Sequence, residues 1–264
     1  MAKADKKPET IGETIKTIVY ALLIAGVFRT LFFQPFWIPS ASMKDTLLIG
    51  DFLFVNKMAY GYSAVSCPFA ICPISGRLFG SEPERGDVVV FRHPVSNEDY
   101  IKRLIGLPGD TVQIKDGIIW LNGQALPQEP AGTFEEIKEP QGSMQGIPRC
   151  ANDPVGLGGV CTKPRATETL PDGTKHDVLN IVDQGQNSPD NTGVYEVPPG
   201  HYFFMGDNRD DSTDSRFAQG AGGVGMVPAE NLIGRADRIM FSSAGRSLLM
   251  FWTWRSDRFF KAIE

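Results

Sequence analysis

Histidine and cysteine are scarce in this chain. Its three histidines, His93, His176 and His201, stand far apart. Its four cysteines fall into Cys67/Cys72, in CPFAIC, and Cys150/Cys161, which bracket CANDPVGLGGVC. Neither pair has CxxC spacing or a nearby histidine, which argues against a zinc site and leaves structural disulfides or free thiols. Cys150 and Cys161, with ten residues between them in one turn-rich segment, are the expected pair. Positive charge is not in excess either. With 26 Lys+Arg against 31 Asp+Glu, the net charge is -5, so no broad basic surface competes for phosphates and no nucleic-acid partner is expected. No serine lies in GxSxG, and no fixed-period repeat is present.

Two patterns mimic functional motifs. Gly220 to Gly225, GAGGVG, fits GxGxxG, but no strand precedes it and Met226-Val227-Pro228 follows, so it reads as a flexible loop. Asp207, Asp210, Asp211 and Asp214 suggest calcium, yet Arg209 and Ser212 occupy positions where an EF-hand needs a ligand and a glycine.

Long uninterrupted hydrophobic runs are also missing. The cleanest, Thr17 to Phe28, has 12 residues, short of the roughly 20 that span a bilayer. Thr17 to Phe36 reaches that length if Arg29 snorkels outward. The bulky FRTLFFQPFW that follows offers no small-residue cleavage site, so an uncleaved anchor over 17–36 is expected after a polar tail, 1–16. Lys3, Lys6, Lys7 and Lys16 precede the run, which places the N-terminus in the cytoplasm and the body across the membrane.

What the chain has in quantity is turn residues, 28 glycines and 19 prolines, about 18% of the chain against an average of roughly 12%. With 42% hydrophobic residues to build a core, the expected fold is mostly β. Strands are expected at 51–57, 86–92 and 100–107, each bounded by Gly, Pro or Asp. Asp116-Gly117 and Asn122-Gly123 mark tight hairpins, because type I′ turns need positive φ at both central positions. Residues 127–199 turn polar and Pro/Gly-rich and read as an inserted smaller β region between 37–126 and 200–264, with the chemistry outside it. The C-terminal SLLMFWTWRSDRFFKAI interleaves aromatics with Arg255, Arg258 and Lys261, a pattern suited equally to a bilayer surface and to a terminal helix packed on the core.

Three segments carry the functional reading: Pro39-Ser40-Ala41-Ser42-Met43, Tyr100-Ile101-Lys102-Arg103, and Gly206 to Arg216, GDNRDDSTDSR. With TLLIGD, RGDVVVF, LIGLPGD and NLIGRA in the same order, over roughly residues 35–115 and 200–241, the chain closely resembles bacterial type I signal peptidases, membrane-anchored serine proteases. The resemblance implies a signal-peptidase-like β core behind one transmembrane helix, no cofactor or metal, and cleavage of signal peptides from secretory preproteins after small-x-small sites. It further implies a bacterial inner-membrane location with the catalytic part on the periplasmic side, contact with phospholipids, and a place near the Sec translocon. An inactive membrane-tethered preprotein-binding protein and a self-cleaving Ser/Lys protease of related fold are the rivals.

By this resemblance Ser42 is the nucleophile and Lys102 its base. A serine hydroxyl needs a base, and a lysine serves only when neutral, which burial beside Ile101 and Leu104 favours. Arg103, on the opposite strand face, stays charged. Ser40 and the Ser42 N–H would hold the oxyanion, and Ser212 would hydrogen-bond and orient Lys102. Asp207, Asp214 and Arg216 would brace the loop. Phe36, Ile38, Met43, Leu47, Tyr100 and Ile101, near the two catalytic residues in sequence, are the expected walls of shallow substrate pockets. Asp45 stands where the family usually has proline, and it is expected to point to solvent. The loop FAQGAGGVGMVP is longer than the family's usual link.

Overall fold

A computed structural model describes residues 11–67, 72–142, 145–181, 188–245 and 250–263. The chain opens with helix α1 (Ile11–Leu31), followed by strands β1 (Phe33–Trp37) and β2 (Asp51–Asn56). Next come β3 (Val88–Arg92), β4 (Asp99–Gly106), β5 (Thr111–Lys115), β6 (Ile118–Leu121) and β7 (Gln124–Ala125). Strands β8 (Gln128–Ile137), β9 (Val160–Thr169) and β10 (Lys175–Leu179) follow. The chain continues through β11 (Tyr195–Glu196), β12 (His201–Met205), β13 (Val227–Pro228) and β14 (Leu232–Ser242). The fold is mostly β, as the turn-rich composition suggests.

Helix α1 is long and apolar enough to cross a membrane, with a mean hydropathy of 1.6 and no residue buried against the rest of the chain. It is displaced from the expected 17–36. It starts earlier and stops at Leu31, and Phe36 belongs instead to β1, paired antiparallel with β2. The Pro35 ring is incompatible with a helix interior but is tolerated on this edge strand. Lys3, Lys6 and Lys7, which set the expected orientation, lie outside the described residues.

The main sheet runs β1-β2-β14-β3-β4-β12-β13. Strand β2 alternates buried and half-buried residues, whereas the last five residues of β4 are buried without interruption, the pattern of a central strand covered on both faces. One core cluster holds Ile38, Met43, Leu47, Leu53 and Val55, and another packs Phe91, Leu104 and Phe204. A second sheet, β11-β5-β6-β7, has both expected hairpins: Asp116 and Gly117 take φ of 49° and 77°, Asn122 and Gly123 take 51° and 80°. These are the values that type I′ turns require.

Residues 128–179 contribute a third sheet, β10-β9-β8. Cys150 is joined to Cys161 beside it, and Cys67 to Cys72 elsewhere. The GAGGVG segment is not a loose loop. It forms a short 3-10 turn at Gln219–Ala221, buries Val224 in the core, and packs Gly223 so closely on Phe217 that a Cβ there would sit 2.2 Å from its carbonyl oxygen. The C-terminal segment does not form a long helix. Among the described residues it makes two short 3-10 turns, pinned by Arg258, whose guanidinium binds both oxygens of buried Asp51 at 3.0 and 2.6 Å.

Candidate active site

The turn after Ile38 brings Ser40 and Ser42 to the surface of the core. Lys44 N donates to Ala41 O and Leu47 N to Met43 O, while Asn208 clamps the turn from outside, its N–H on Ser42 O (3.1 Å) and its side-chain amide on Ala41 O (3.0 Å). The Ser42 N–H itself has no hydrogen-bond acceptor among the described residues. Opposite the turn, β4 presents Lys102, whose Nζ donates to Ser42 Oγ at 2.5 Å, with both residues buried. Ser40 Oγ lies 3.4 Å from Ser42 Oγ.

Burial pushes the Lys102 ammonium down from its ordinary value to about 8, with Arg216 adding to the effect and Asp214 and Asp207 opposing it. Neither carboxylate is bonded to the lysine. Asp207 is taken by Arg103, which grips it through Nε (2.9 Å) and Nη2 (2.8 Å), and by Thr46 Oγ1 (2.5 Å). Asp214 is taken by Arg216 (2.9 and 3.0 Å) and by the Gly206 N–H (3.0 Å). Burial alone would raise both carboxyl pKa values, but Arg103 and Arg216 hold them below the usual carboxylate range. The charged loop thus keeps its own anions occupied and leaves Lys102 desolvated.

A cleft of about 450 Å³ contains Ser40, Ser42 and Lys102. Of the residues named from sequence as pocket walls, Phe36, Ile38, Tyr100 and Ile101 line it. Met43 and Leu47 do not. Both are buried in the core behind the turn, 1% and 0% exposed, because in a tight turn successive side chains point in different directions and sequence nearness to Ser42 does not confer nearness to the cleft.

The signal peptidase, peptidase S26, family model matches residues 11–241 of this chain. A signal peptidase I of Rickettsia typhi is 38% identical over 247 residues, covering 90% of this chain and 83% of the relative. One from Rickettsia akari is 39% identical over 233 residues, covering 85% and 77%. The chain belongs to the peptidase S26 family of signal peptidases. It is a hydrolase of the serine endopeptidase class. A crystal structure of a signal peptidase I from Enterococcus faecalis aligns with 59% of this chain and 97% of its own, at 24% identity and a TM-score of 0.30.

Two expectations for this signal peptidase site are corrected by the geometry. Ser212 does not hydrogen-bond Lys102; its buried hydroxyl has no partner of ordinary geometry among the described residues and helps to lower the pKa of Asp214. It sits against the nucleophile turn all the same, since a Cβ on Gly206 would fall 2.3 Å from Ser212 Oγ and 2.5 Å from Ser42 O. Only glycine permits that approach. Asp45 does not point to solvent; it pairs with Arg165 on β9 at 2.9 Å.

Sequence reasoning also missed the support that the polar region 127–199 gives the site. Lys163 on β9 is buried, and its Nζ reaches Asp211 (2.5 Å) and Asn208 (3.2 Å); Glu168 binds Arg209 at 2.9 Å. Lys44, two residues after Ser42, is buried against Glu136 and Gln141. No alternation in VCTKPRATET signalled this support: Lys163 and Glu168 are five positions apart, which places them on opposite faces of a regular strand, yet both are buried.

Proposed function

We propose that this chain is a membrane-anchored endopeptidase that removes N-terminal signal peptides from exported preproteins through a Ser42/Lys102 dyad. The observation that carries this reading is the 2.5 Å contact from Lys102 Nζ to Ser42 Oγ at a buried lysine whose pKa is depressed to about 8. A lysine in that condition is neutral in a useful fraction of molecules and accepts a proton where an ordinary lysine cannot.

In this mechanism Ser42 Oγ attacks the scissile carbonyl carbon while Lys102 takes its proton. The carbonyl electrons move to oxygen, and the resulting oxyanion is held by the Ser42 N–H and the Ser40 hydroxyl. Collapse expels the amine of the mature protein, which receives the proton from Lys102. Water, deprotonated by the same lysine, then attacks the acyl carbon; the bond to Ser42 Oγ breaks, the signal peptide leaves with a free carboxylate, and the proton on Lys102 returns to Ser42 Oγ. Asp207, Asp214, Arg103 and Arg216 hold the loop and transfer no proton, and Ser212 packs the loop against the nucleophile turn. Phe36, Ile38, Tyr100 and Ile101 narrow the cleft to small side chains, which supports cleavage after small-x-small sequences.

Helix α1 supports single-pass anchoring in a bacterial inner membrane, with the N-terminus cytoplasmic and the body periplasmic, next to phospholipids and near the Sec translocon. The disulfides fit that oxidising side. In this reading residues 37–126 and 200–264 form the catalytic core and 127–199 an insertion that braces it. The test is to incubate the purified full-length protein, in detergent, with an exported preprotein and to determine the N-terminus of the product. A new terminus directly after a small-x-small sequence is expected. Failure to cut, or cutting that survives Ser42→Ala, overturns the reading.

A further inference from the structure

The cleft does not end at the dyad. Its walls continue along the chain to Trp37 on one side and to Asp99 and Glu98 on the other. Glu98 precedes Lys102 by four residues of nearly extended chain, which at about 3.3 Å per residue places it roughly 13 Å from the lysine. A substrate lying extended in the cleft would reach Glu98 about four residues from the scissile bond.

The sheet register shows which side of the cut that is. Phe33, two residues after α1, is level with Asn56; Asn56 is level with Arg235, and Arg235 with Val89. From there β14 continues to Leu232 opposite Phe91, and β3 and β4 continue to Tyr100 and Asp99. The start of β4 therefore lies at the same end of the sheet as the exit of α1. The environment of Lys57 agrees: burial pushes it down to about 8, and both Arg29 of α1 and Asp99 act on it. A signal peptide whose apolar part sits in the bilayer enters from that end, so the residues that meet Glu98 precede the cut.

Apart from Lys102 at the dyad, the charge in the cleft has one sign. Among its other lining residues the formal charges are Glu98, Asp99 and Asp211. Asp211 is paired with Lys163 and Asp99 with Arg92 (2.7 Å). Glu98 has no ion-pair partner among the described residues, and its carboxylate is close enough to Tyr100 to add to the rise in phenol pKa that burial begins.

We infer that Glu98 is a specificity-determining residue that selects for a basic, and against an acidic, side chain about four residues before the cleavage site. This inference rests on the proposed signal-peptide cleavage and names a feature of its substrates. An exposed or half-exposed pair of opposite charges is modest in strength and weakens with salt, and a like-charge pair has the reverse sign. Swapping Lys for Glu in the substrate combines the two.

The experiment uses full-length protein and three peptides that differ only in carrying Lys, Gln or Glu at the fourth and fifth positions before the cut. With wild-type protein at low ionic strength, kcat/KM for the Lys peptide is expected to exceed that for the Glu peptide by about five- to tenfold, the ratio falling toward one in high salt. Glu98→Gln should collapse the ratio and Glu98→Lys should invert it, whereas Asp99→Asn should change it less because Arg92 already answers that charge. A wild-type ratio within about twofold of one at low salt, or a ratio that Glu98→Lys leaves unchanged, overturns the inference while the proposed function stands. If wild-type protein fails to cut even the Gln peptide, the proposed function falls and the inference with it.

Discussion

Lys102 and Arg103 are neighbours on β4, both buried cations, and their surroundings are opposite. Arg103 meets a carboxylate fork to fork, with a further bond from Nη1 to Gly86 O (2.8 Å). Among the described residues Lys102 hydrogen-bonds the Ser42 hydroxyl and, 5.6 Å away, faces the Tyr100 ring. The strand alternation sends them to different sides, and the loop 206–216 supplies Asp207 to one side while binding Asp214 to Arg216. A buried cation matched with an anion keeps its proton, whereas a buried lysine without one gives it up more readily, which the proposed mechanism requires of Lys102 beside Ser42. The two residue types suit these places, since a guanidinium cannot give up its proton and an ammonium can.

The sharpest break in this comparison is on the reactive side. Ser42→Ala or Lys102→Ala should each lower the rate of preprotein cleavage by at least about a thousandfold, and the double variant should lose little more, because the pair acts as one unit. Quenched time courses at high enzyme concentration measure this, and additive losses would separate the two residues. On the structural side, Arg103→Met leaves Asp207 buried and unpaired, at a cost of about 3 to 5 kcal/mol in stability. Denaturant unfolding should show that loss. A stability change under about 1 kcal/mol would mean that the ion pair contributes little beyond a packed apolar side chain.

Ser40 sharpens the contrast further, because the proposed mechanism puts it on the Lys102 side and, among the described residues, its hydroxyl bonds only Ser42. Ser40→Ala should leave the unfolding midpoint in place and raise the barrier to cleavage by about 2.7 to 4 kcal/mol, the scale of one lost oxyanion donor. Equal turnover by the variant would remove Ser40 from the proposed mechanism.

How much of this arrangement could be read in the sequence depends on the distance between partners. Strands β2 to β4 and the Asp-Gly and Asn-Gly hairpins follow local rules, alternation and turn chemistry, and appear within a residue or two of their expected places. Strands β8 and β9 were legible only as a polar region. Many of their side chains are exposed, and they are held by pairing with each other along ten-residue lengths, which leaves little hydrophobic signature. For the site, the three motif segments indicated which residues to bring together, and Ser40, Ser42 and Lys102 do meet. What no local pattern conveys is the support from elsewhere in the chain. The Glu168–Arg209 and Lys44–Glu136 ion pairs join residues 41 and 92 positions apart, and only the fold makes them neighbours. Met43 and Leu47 show the converse, close to Ser42 in sequence and turned into the core.

The smallest expected effect is also the most specific to the comparison, because it gives the two cations opposite signs. The Lys102 pKa is near 8 in the folded chain, against an ordinary value of 10.5, so between those values the unfolded chain binds the extra proton and stability rises with pH. Below about 8 the folded protein carries the full penalty, up to about 3 kcal/mol at 1.36 kcal/mol per pKa unit. Lys102→Met abolishes that penalty. The variant should therefore be more stable than wild type at pH 7, with the advantage shrinking as pH climbs from about 8 to 10.5, whereas Arg103→Met should be less stable across the whole range. Subtracting the wild-type curve from the variant curve cancels the other groups that titrate there, Lys57 among them. Cleavage by wild type should rise through the same folded-state value, its acidic limb near 8, and a limb near 6.5 abolished by one histidine substitution would replace Lys102 as the base. A stability difference between Lys102→Met and wild type that stays flat from pH 7 to 10.5 would mean the lysine is not held desolvated, and the contrast between the two sides of β4 would then have to rest on Arg103 alone.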